Sequence, residues 1–113
     1  EAAAAGKKIW TIGVDSDQYL TASAAEKKNM LTSMTKRVDN AVYDVIANAV
    51  AGRTVNDILD ANAGIYGRRY DLAAGGVGVS YSGGYINKYK AQIDAATKAI
   101  ISGKIKVPSV PSK

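Results

Sequence analysis

Apolar residues occur along this chain in short runs that alternate with longer amphipathic stretches. The run from Ile9 to Val14 is rich in β-branched residues and ends at a glycine and two acids, which predicts a short strand. Residues 30–34, of sequence MLTSM, predict a second short strand. Residues 70–82 alternate apolar with small or polar positions, which predicts two β segments separated by a pair of glycines.

Two stretches have the three- and four-residue spacing that is typical of amphipathic helices. In residues 38–51 the apolar positions expected to face inward are Val38, Ala41, Val42, Val45, Ile46, Ala49 and Val50. In residues 87–102 they are Tyr89, Ile93, Ala96, Ile100 and Ile101. Gly52 and Gly103 follow the two helices in the C′ position that favours left-handed backbone, and Asn87 is the expected N-cap of the second helix.

The remaining segments have no clear period. Residues 1–6, EAAAAG, read as the last turn of a helix, and a chain that starts there without methionine is expected to be a piece of a longer protein. Residues 15–29 are polar and loop-like, and residues 53–69 fit either a short helix or an irregular crossover. Residues 104–113 contain two prolines and predict a short extended end.

This order of elements predicts an α/β fold, with a parallel sheet flanked by helices. The 113 residues suffice for one modest core. In sheets of this kind, ligands bind at the carboxyl ends of the strands. Asp15 directly follows the first predicted strand, so its carboxylate is a candidate binding group.

Charge and composition exclude several classes of function. The net charge of +5 comes from scattered lysines and arginines, so we expect no nucleic-acid partner. The chain has no cysteine and no histidine, which excludes disulfides, cysteine nucleophiles, histidine acid–base catalysis and nearly all zinc sites. No apolar run approaches the roughly 20 residues that span a bilayer. No spacing pairs a nucleophile with a base, so we expect a protein that is not an enzyme and has no metal or cofactor.

Asp15 and Asp17 flank a serine, and extended backbone would place both carboxylates on the same side. One interpretation is that Asp15 accepts hydrogen bonds from ligand hydroxyls, each of which contributes roughly 1.5–3 kcal/mol. The other is that Asp15 caps the following turn and Asp17 is solvated. Spacing alone favours the second interpretation.

Lys36 and Arg37 lie between the second predicted strand and the first predicted helix. Cations are unfavourable at a helix N-terminus, so one of the two is expected to contact a ligand or to pair with Asp15. Residues 75–80, GGVGVS, lack the order of a phosphate-binding loop and predict a turn with close backbone packing. Trp10 lies within the first strand and is expected in the core.

Four segments occur in the same order as in the C-terminal part of the Bmp family, the basic-membrane-protein-like lipoproteins. They are IGVDSDQ (12–18), LTSMTKRVDNAVYDVI (31–46), GGVGVS (75–80) and IISGKIKVP (100–108). The resemblance covers nearly the whole chain, and residues 53–69 are the least similar part. The succession of GVDSDQ and TSM-x-KRVD is its most specific feature.

The resemblance implies part of a type I periplasmic-binding-protein fold, in which two lobes close on a ligand in the cleft between them. It also implies the solute-binding component of an ABC importer, with a nucleoside, expected to be a purine nucleoside, as ligand. Asp15 is similar to the acid that holds the ribose hydroxyls, and Lys36 resembles the basic residue that reaches the ligand at the strand-to-helix crossover. Asp17 and Gln18 match the motif and are assigned to loop geometry.

The resemblance further implies how the chain is divided between the two lobes, which partners it binds and where it is located. About residues 1–36 and 83–113 would belong to the second lobe, and about residues 37–82 would cross to the first. The expected partners are the permease and ATPase subunits, the N-terminal part of the same protein, and a second copy paired through exposed sheet edges. The expected location is extracytoplasmic, with a lipid anchor on the membrane.

Two alternatives use the same fold for other purposes. One is the sensor domain of a regulatory or signalling protein, and the other is a small flavodoxin-like enzyme domain. A lipobox cysteine encoded upstream of Glu1 would favour the transporter, and a helix-turn-helix there would favour the regulator. A bound flavin or any turnover would reveal the enzyme.

Overall fold

A computed structural model describes residues 8–54, 56, 59 and 67–108 of the chain. In chain order its regular elements are β1 (Thr11–Asp15), α1 (Ala24–Lys27), β2 (Met30–Lys36), α2 (Val38–Val50), β3 (Val77–Val79) and α3 (Lys90–Ile101). Short 3₁₀ turns at Gln18–Leu20 and Asn87–Tyr89 precede α1 and α3. The predicted α/β class is confirmed. The predicted helix end in residues 1–6, most of residues 53–69 and residues 109–113 lie outside the described residues.

The strands form a mixed sheet in the order β1-β2-β3. β1 and β2 are parallel as predicted, but β3 is antiparallel to β2, so the prediction of a fully parallel sheet is wrong. The reason is where the chain re-enters the sheet: Val77 pairs with Lys36, at the end of β2, so β3 has to run backwards. Of the two β segments predicted in residues 70–82, only Val77–Val79 is a strand.

One face of the sheet is lined by small residues. Ser33 is 1% exposed, and Gly13, its partner across β1 and β2, is buried beside it. A β-carbon at Gly13 would collide with the Ser33 hydroxyl and lie 2.9 Å from the Gln18 amide oxygen. Glycine is therefore required here by close packing, and the loop after β1 lies directly over this face.

The short helix α1 begins with a capping box. The Ser23 hydroxyl accepts a hydrogen bond from the Glu26 backbone N–H, and the Glu26 carboxylate accepts bonds of 2.8 and 2.7 Å from the Ser23 N–H and hydroxyl. These bonds satisfy donors that a four-residue helix would otherwise leave free. They also hold the pKa of Glu26 below its ordinary value, with the bond from the Ser23 hydroxyl as the largest cause.

We expect Ser23→Ala to raise the pKa of Glu26 towards its ordinary value. Because the pKa is lower in the folded protein than in the unfolded one, the stabilisation from this carboxylate is complete above the unfolded pKa. It is lost as the pH falls through the folded pKa. NMR titration of the Glu26 carboxyl carbon in the full-length protein measures the change. Ser102→Ala, which removes only a bond to Ala99 O, should leave the Glu26 titration unaltered.

Helix α2 begins and ends close to the predicted bounds, but its predicted inward face is wrong. Val42 is 52% exposed and Val50 84% exposed, whereas the polar Asn48 is buried. The inward side carries a polar network: Asp44 accepts hydrogen bonds of 2.9 Å from the Tyr70 hydroxyl and 3.1 Å from the Asn48 amide. This network binds the polar side of α2 to the segment before β3, which leaves the apolar side outward.

Helix α3 also turns part of its predicted inward face to solvent, since Tyr89 is 48% and Ile101 51% exposed. Asn87 starts a 3₁₀ turn instead of capping α3, and Tyr89 holds the N-cap position without a side-chain bond. The predicted C′ glycines are confirmed. Gly52 and Gly103 have φ angles of 74° and 76°.

Candidate functional site

The candidate site lies where the parallel strands β1 and β2 end side by side. Asp15 is the last residue of β1 and Lys36 the last of β2. Asp15 Oδ1 and Lys36 Nζ are 2.8 Å apart, and their side chains are 68% and 53% exposed. Separate features of the sequence predict these two residues, and the fold places them in one ion pair. An acceptor and a donor of opposite charge are thus presented together to solvent.

The backbone of Asp15 explains how the two groups meet. Regular alternation would place Asp15 on the same face as Gly13, and Lys36 on the opposite face with Met34. Asp15 has a φ angle of 75°, so it leaves the extended conformation and the alternation stops there. Among the described residues it is the non-glycine residue with positive φ. Aspartate tolerates this region better than most residues, and such backbone strain concentrates at functional sites.

Asp15 and Asp17 do not act as a pair. The expectation that both carboxylates point to the same side assumed extended backbone, and the left-handed Asp15 removes that assumption. Asp17 Oδ2 accepts a hydrogen bond from the Ser82 hydroxyl, far from it in sequence. Gln18 bonds its amide nitrogen to Val14 O at 3.0 Å. The assignment of Asp17 and Gln18 to loop geometry agrees with these contacts.

Lys36 and Arg37 have different partners. Arg37 Nη2 lies 2.6 Å from Asp39 Oδ2 in the first turn of α2, so the cation beside this helix N-terminus is neutralised locally. The hydrogen bond from Arg37 holds the pKa of Asp39 below its ordinary value and raises that of Arg37. Lys36 is therefore the member of the pair that contacts Asp15. The sequence left open which of the two cations pairs with Asp15, and the fold shows that it is Lys36.

Trp10 is not a core residue as predicted. It precedes β1, is 41% exposed, and meets the edge of the Tyr85 ring with centroids 4.8 Å apart. Lys8 Nζ lies 4.2 Å from the Trp10 ring centroid. This cluster could not be predicted from the sequence, because Tyr85 lies 75 residues from Trp10 and no local pattern connects them.

The first part of the GGVGVS segment belongs to the turn that the sequence predicts, whereas Val77–Val79 within it form β3. Gly75 has a φ of 65°, and Gly76 is buried against Tyr70. The Arg37 N–H donates to Gly76 O at 2.8 Å, which closes the sheet beside Lys36. The segment therefore packs against the end of β2, next to Lys36.

Metal sites and membrane-spanning helices are both absent from the described part of the chain. No group of three or more acidic side chains within it is arranged to hold a metal ion. None of its helices combines the length and apolar character needed to cross a bilayer.

Comparison with known proteins gives consistent matches. Residues 1–110 match the Bmp family model, described as "ABC transporter substrate-binding protein PnrA-like". Two relatives are named "CD4+ T-cell-stimulating antigen", from Listeria monocytogenes and Listeria innocua, at 36% and 35% identity over 93% of this chain. The match covers 29% of each relative, so the chain spans less than a third of their length. Neither the family description nor the relatives' names mention a regulator. The chain belongs to the Bmp family of PnrA-like ABC transporter substrate-binding proteins.

Proposed function

We propose that this protein is the solute-binding component of an ABC importer and that it binds a purine nucleoside in a cleft between two lobes. The observation that carries the proposal is the exposed Asp15–Lys36 ion pair at the carboxyl ends of two parallel strands. Ligands of open α/β sheets bind at this edge. Family membership supports the transport role, and the permease and ATPase subunits are the proposed partners.

The chemistry of the pair suits a sugar with neighbouring hydroxyl groups. A carboxylate has acceptor capacity for two hydroxyl donors, and Asp15 keeps this capacity because it is 68% exposed. Lys36 pairs with Asp15 Oδ1 through charge, and its ammonium group has N–H donors for a ring or hydroxyl oxygen of the ligand. Binding by hydrogen bonds of this kind needs no covalent step. We therefore propose a binding role and assign no catalytic residue.

The proposed lobe division follows the resemblance. Residues 1–36 and 83–113 would form part of the second lobe, and residues 37–82 would cross to the first. Lys36 then lies at the crossover itself, where closing of the lobes would change its surroundings. The proposed location is outside the cytoplasm, on a lipid anchor supplied by another part of the protein.

Calorimetric titration of the full-length protein with inosine, guanosine and adenosine tests the ligand class. We expect saturable binding of at least one of these nucleosides and no binding of ribose alone, because the base supplies contacts that a sugar lacks. Uridine and cytidine serve as matched pyrimidine controls. Absence of binding heat with all three purine nucleosides would overturn the proposal.

We expect Lys36→Gln to weaken nucleoside binding about tenfold, which corresponds to the loss of one charge-assisted hydrogen bond. The matched control is Lys90→Gln, since Lys90 pairs with Asp94 at the same 2.8 Å on an exposed face of α3. Calorimetry of both variants separates a role in the site from a general effect of removing a surface cation. Equal nucleoside affinity in Lys36→Gln and Lys90→Gln would show that Lys36 is not part of the binding site.

A further inference from the structure

The loop after β1 is tied to a distant part of the chain by one hydrogen bond. The Ser82 hydroxyl donates to Asp17 Oδ2 across 65 residues of sequence. Asp17 follows Asp15 by two residues, and Ser82 lies just beyond β3. We call this contact the Asp17–Ser82 strut. It joins the loop that carries the candidate binding carboxylate to the segment that leaves the opposite edge of the sheet.

The surroundings of the strut are closely packed. A β-carbon at Gly83 would lie 3.0 Å from the Tyr85 ring and 3.1 Å from the Tyr19 ring. The turn after Ser82 therefore rests on the 3₁₀ turn that follows Asp17. In addition, the Gln18 N–H donates to the buried Ser33 hydroxyl at 3.2 Å. The loop is thus fixed to the sheet by Gln18 and to the segment after β3 by Asp17.

The buried Oδ1 of Asp17 makes the loop depend on the strut. Asp17 Oδ1 is buried and has no hydrogen-bond partner within the described part of the chain. Without the Ser82 hydroxyl, the Asp17 carboxylate would have no donor within the described part of the chain while its Oδ1 stays buried, which is more costly than losing a hydrogen bond between fully exposed groups. The loop would have to turn Asp17 towards water. Such a movement would displace Asp15, whose left-handed backbone depends on its surroundings.

We propose that the Asp17–Ser82 strut is a positioning device that sets the preference of the site for ligands with ribose hydroxyls. This inference rests on the proposed nucleoside function. Asp17 does not touch the ligand, because its free oxygen is buried, and it acts by holding the Asp15 carboxylate at the end of β1. The strut therefore contributes to discrimination between sugars and not to binding of the base.

The test compares two ligands on each variant of the full-length protein: a purine ribonucleoside and its 2′,3′-dideoxy analogue. We expect Ser82→Ala to reduce the ratio of the two affinities about tenfold, through weaker binding of the ribonucleoside alone. Ser82→Thr keeps the hydroxyl and should keep the ratio. Asp17→Ala removes the carboxylate together with its need for a donor, so Asp17→Ala and the double variant should each lose no more of the ratio than Ser82→Ala.

Ser102→Ala is the matched control, because its hydroxyl bonds only Ala99 O at 3.1 Å on α3. Loss of affinity for both ligands by the same factor in Ser82→Ala would mean general damage and would overturn the positioning role. An unaltered ratio would overturn it as well. A wild-type protein that binds neither ligand overturns the proposed function itself, and that result is distinct because it is seen before any substitution is made.

Discussion

Replacing Asp15 by alanine in the full-length protein is expected to lower its affinity for a purine nucleoside about a hundredfold. A hydrogen bond from a neutral donor to a carboxylate contributes roughly 1.5–3 kcal/mol, and about 2.7 kcal/mol corresponds to a factor of one hundred. Asp15 is 68% exposed and ion-paired at the surface, so its removal costs little folding stability. Calorimetric titration of the folded variant measures the loss directly.

The chain offers a close control for this experiment in Asp94→Ala. Asp94 pairs with Lys90 at 2.8 Å, as Asp15 does with Lys36, and its side chain is 50% exposed. It lies within α3, and its ion pair with Lys90 is made inside that helix. We expect wild-type affinity in Asp94→Ala. A loss of similar size in both variants, or none in Asp15→Ala, would contradict the site.

A second substitution separates the charge of Asp15 from its backbone. Asparagine tolerates left-handed backbone well and keeps one carbonyl oxygen, so Asp15→Asn preserves the φ of 75° while removing the charge. Its affinity should fall between those of the wild type and Asp15→Ala. Asp15→Gly, in contrast, should relieve the strain and stabilise the fold while it weakens binding, because glycine adopts positive φ without a steric penalty.

The elements that sequence periodicity defines were predicted well. The short apolar run became β1, MLTSM became the start of β2, and the amphipathic spacing in residues 38–51 became α2 with an error of one residue. The two C′ glycines were also predictable, since left-handed backbone after a helix strongly favours glycine. Each of these signals is local, because it depends only on residues that are close together in the sequence.

The sequence did not predict which face of each helix or strand is buried. The period of α2 shows which side is apolar, but Val42 and Val50 are exposed because the Asp44 network turns the other side inward. Likewise, alternation in residues 70–82 predicts β structure and gives no direction for β3. Direction and burial depend on long-range neighbours, and hydrophobic spacing carries no information about them.

The candidate site was half predictable. Asp15 was named from its position after a strand, and Lys36 from an unfavourable charge at a helix start, so electrostatics indicated a partner. The left-handed backbone that joins them was not predicted, because aspartate tolerates positive φ but adopts it much less often than glycine does. The Asp17–Ser82 strut was also unpredictable, because its two ends are 65 residues apart.

Gly76→Ala is expected to cause the largest loss of stability, about 3 kcal/mol in the free energy of unfolding. A β-carbon at Gly76 would overlap the carbonyl oxygen and β-carbon of Tyr70 and would lie 2.5 Å from its carbonyl carbon. Most of these atoms are backbone, so no rotamer change relieves the collision. Gly76 is also held on both sides, because its N–H donates to Asp71 O and its carbonyl accepts from Arg37 N–H, both at 2.8 Å.

Gly103→Ala is the control that separates this collision from a general intolerance of glycine replacement. Gly103 has a φ of 76° but open space around its α-carbon, so alanine there should cost only the strain of left-handed backbone, about 1 kcal/mol. Urea unfolding of the two full-length variants, followed by circular dichroism, compares the losses. Because the pairing of Val77 with Lys36 follows directly on Gly76, nucleoside affinity should fall in Gly76→Ala and stay at the wild-type value in Gly103→Ala. Equal losses of unfolding free energy in Gly76→Ala and Gly103→Ala would contradict this prediction. They would show that Tyr70 moves aside at little cost and that its contact with Gly76 does not fix the end of β2.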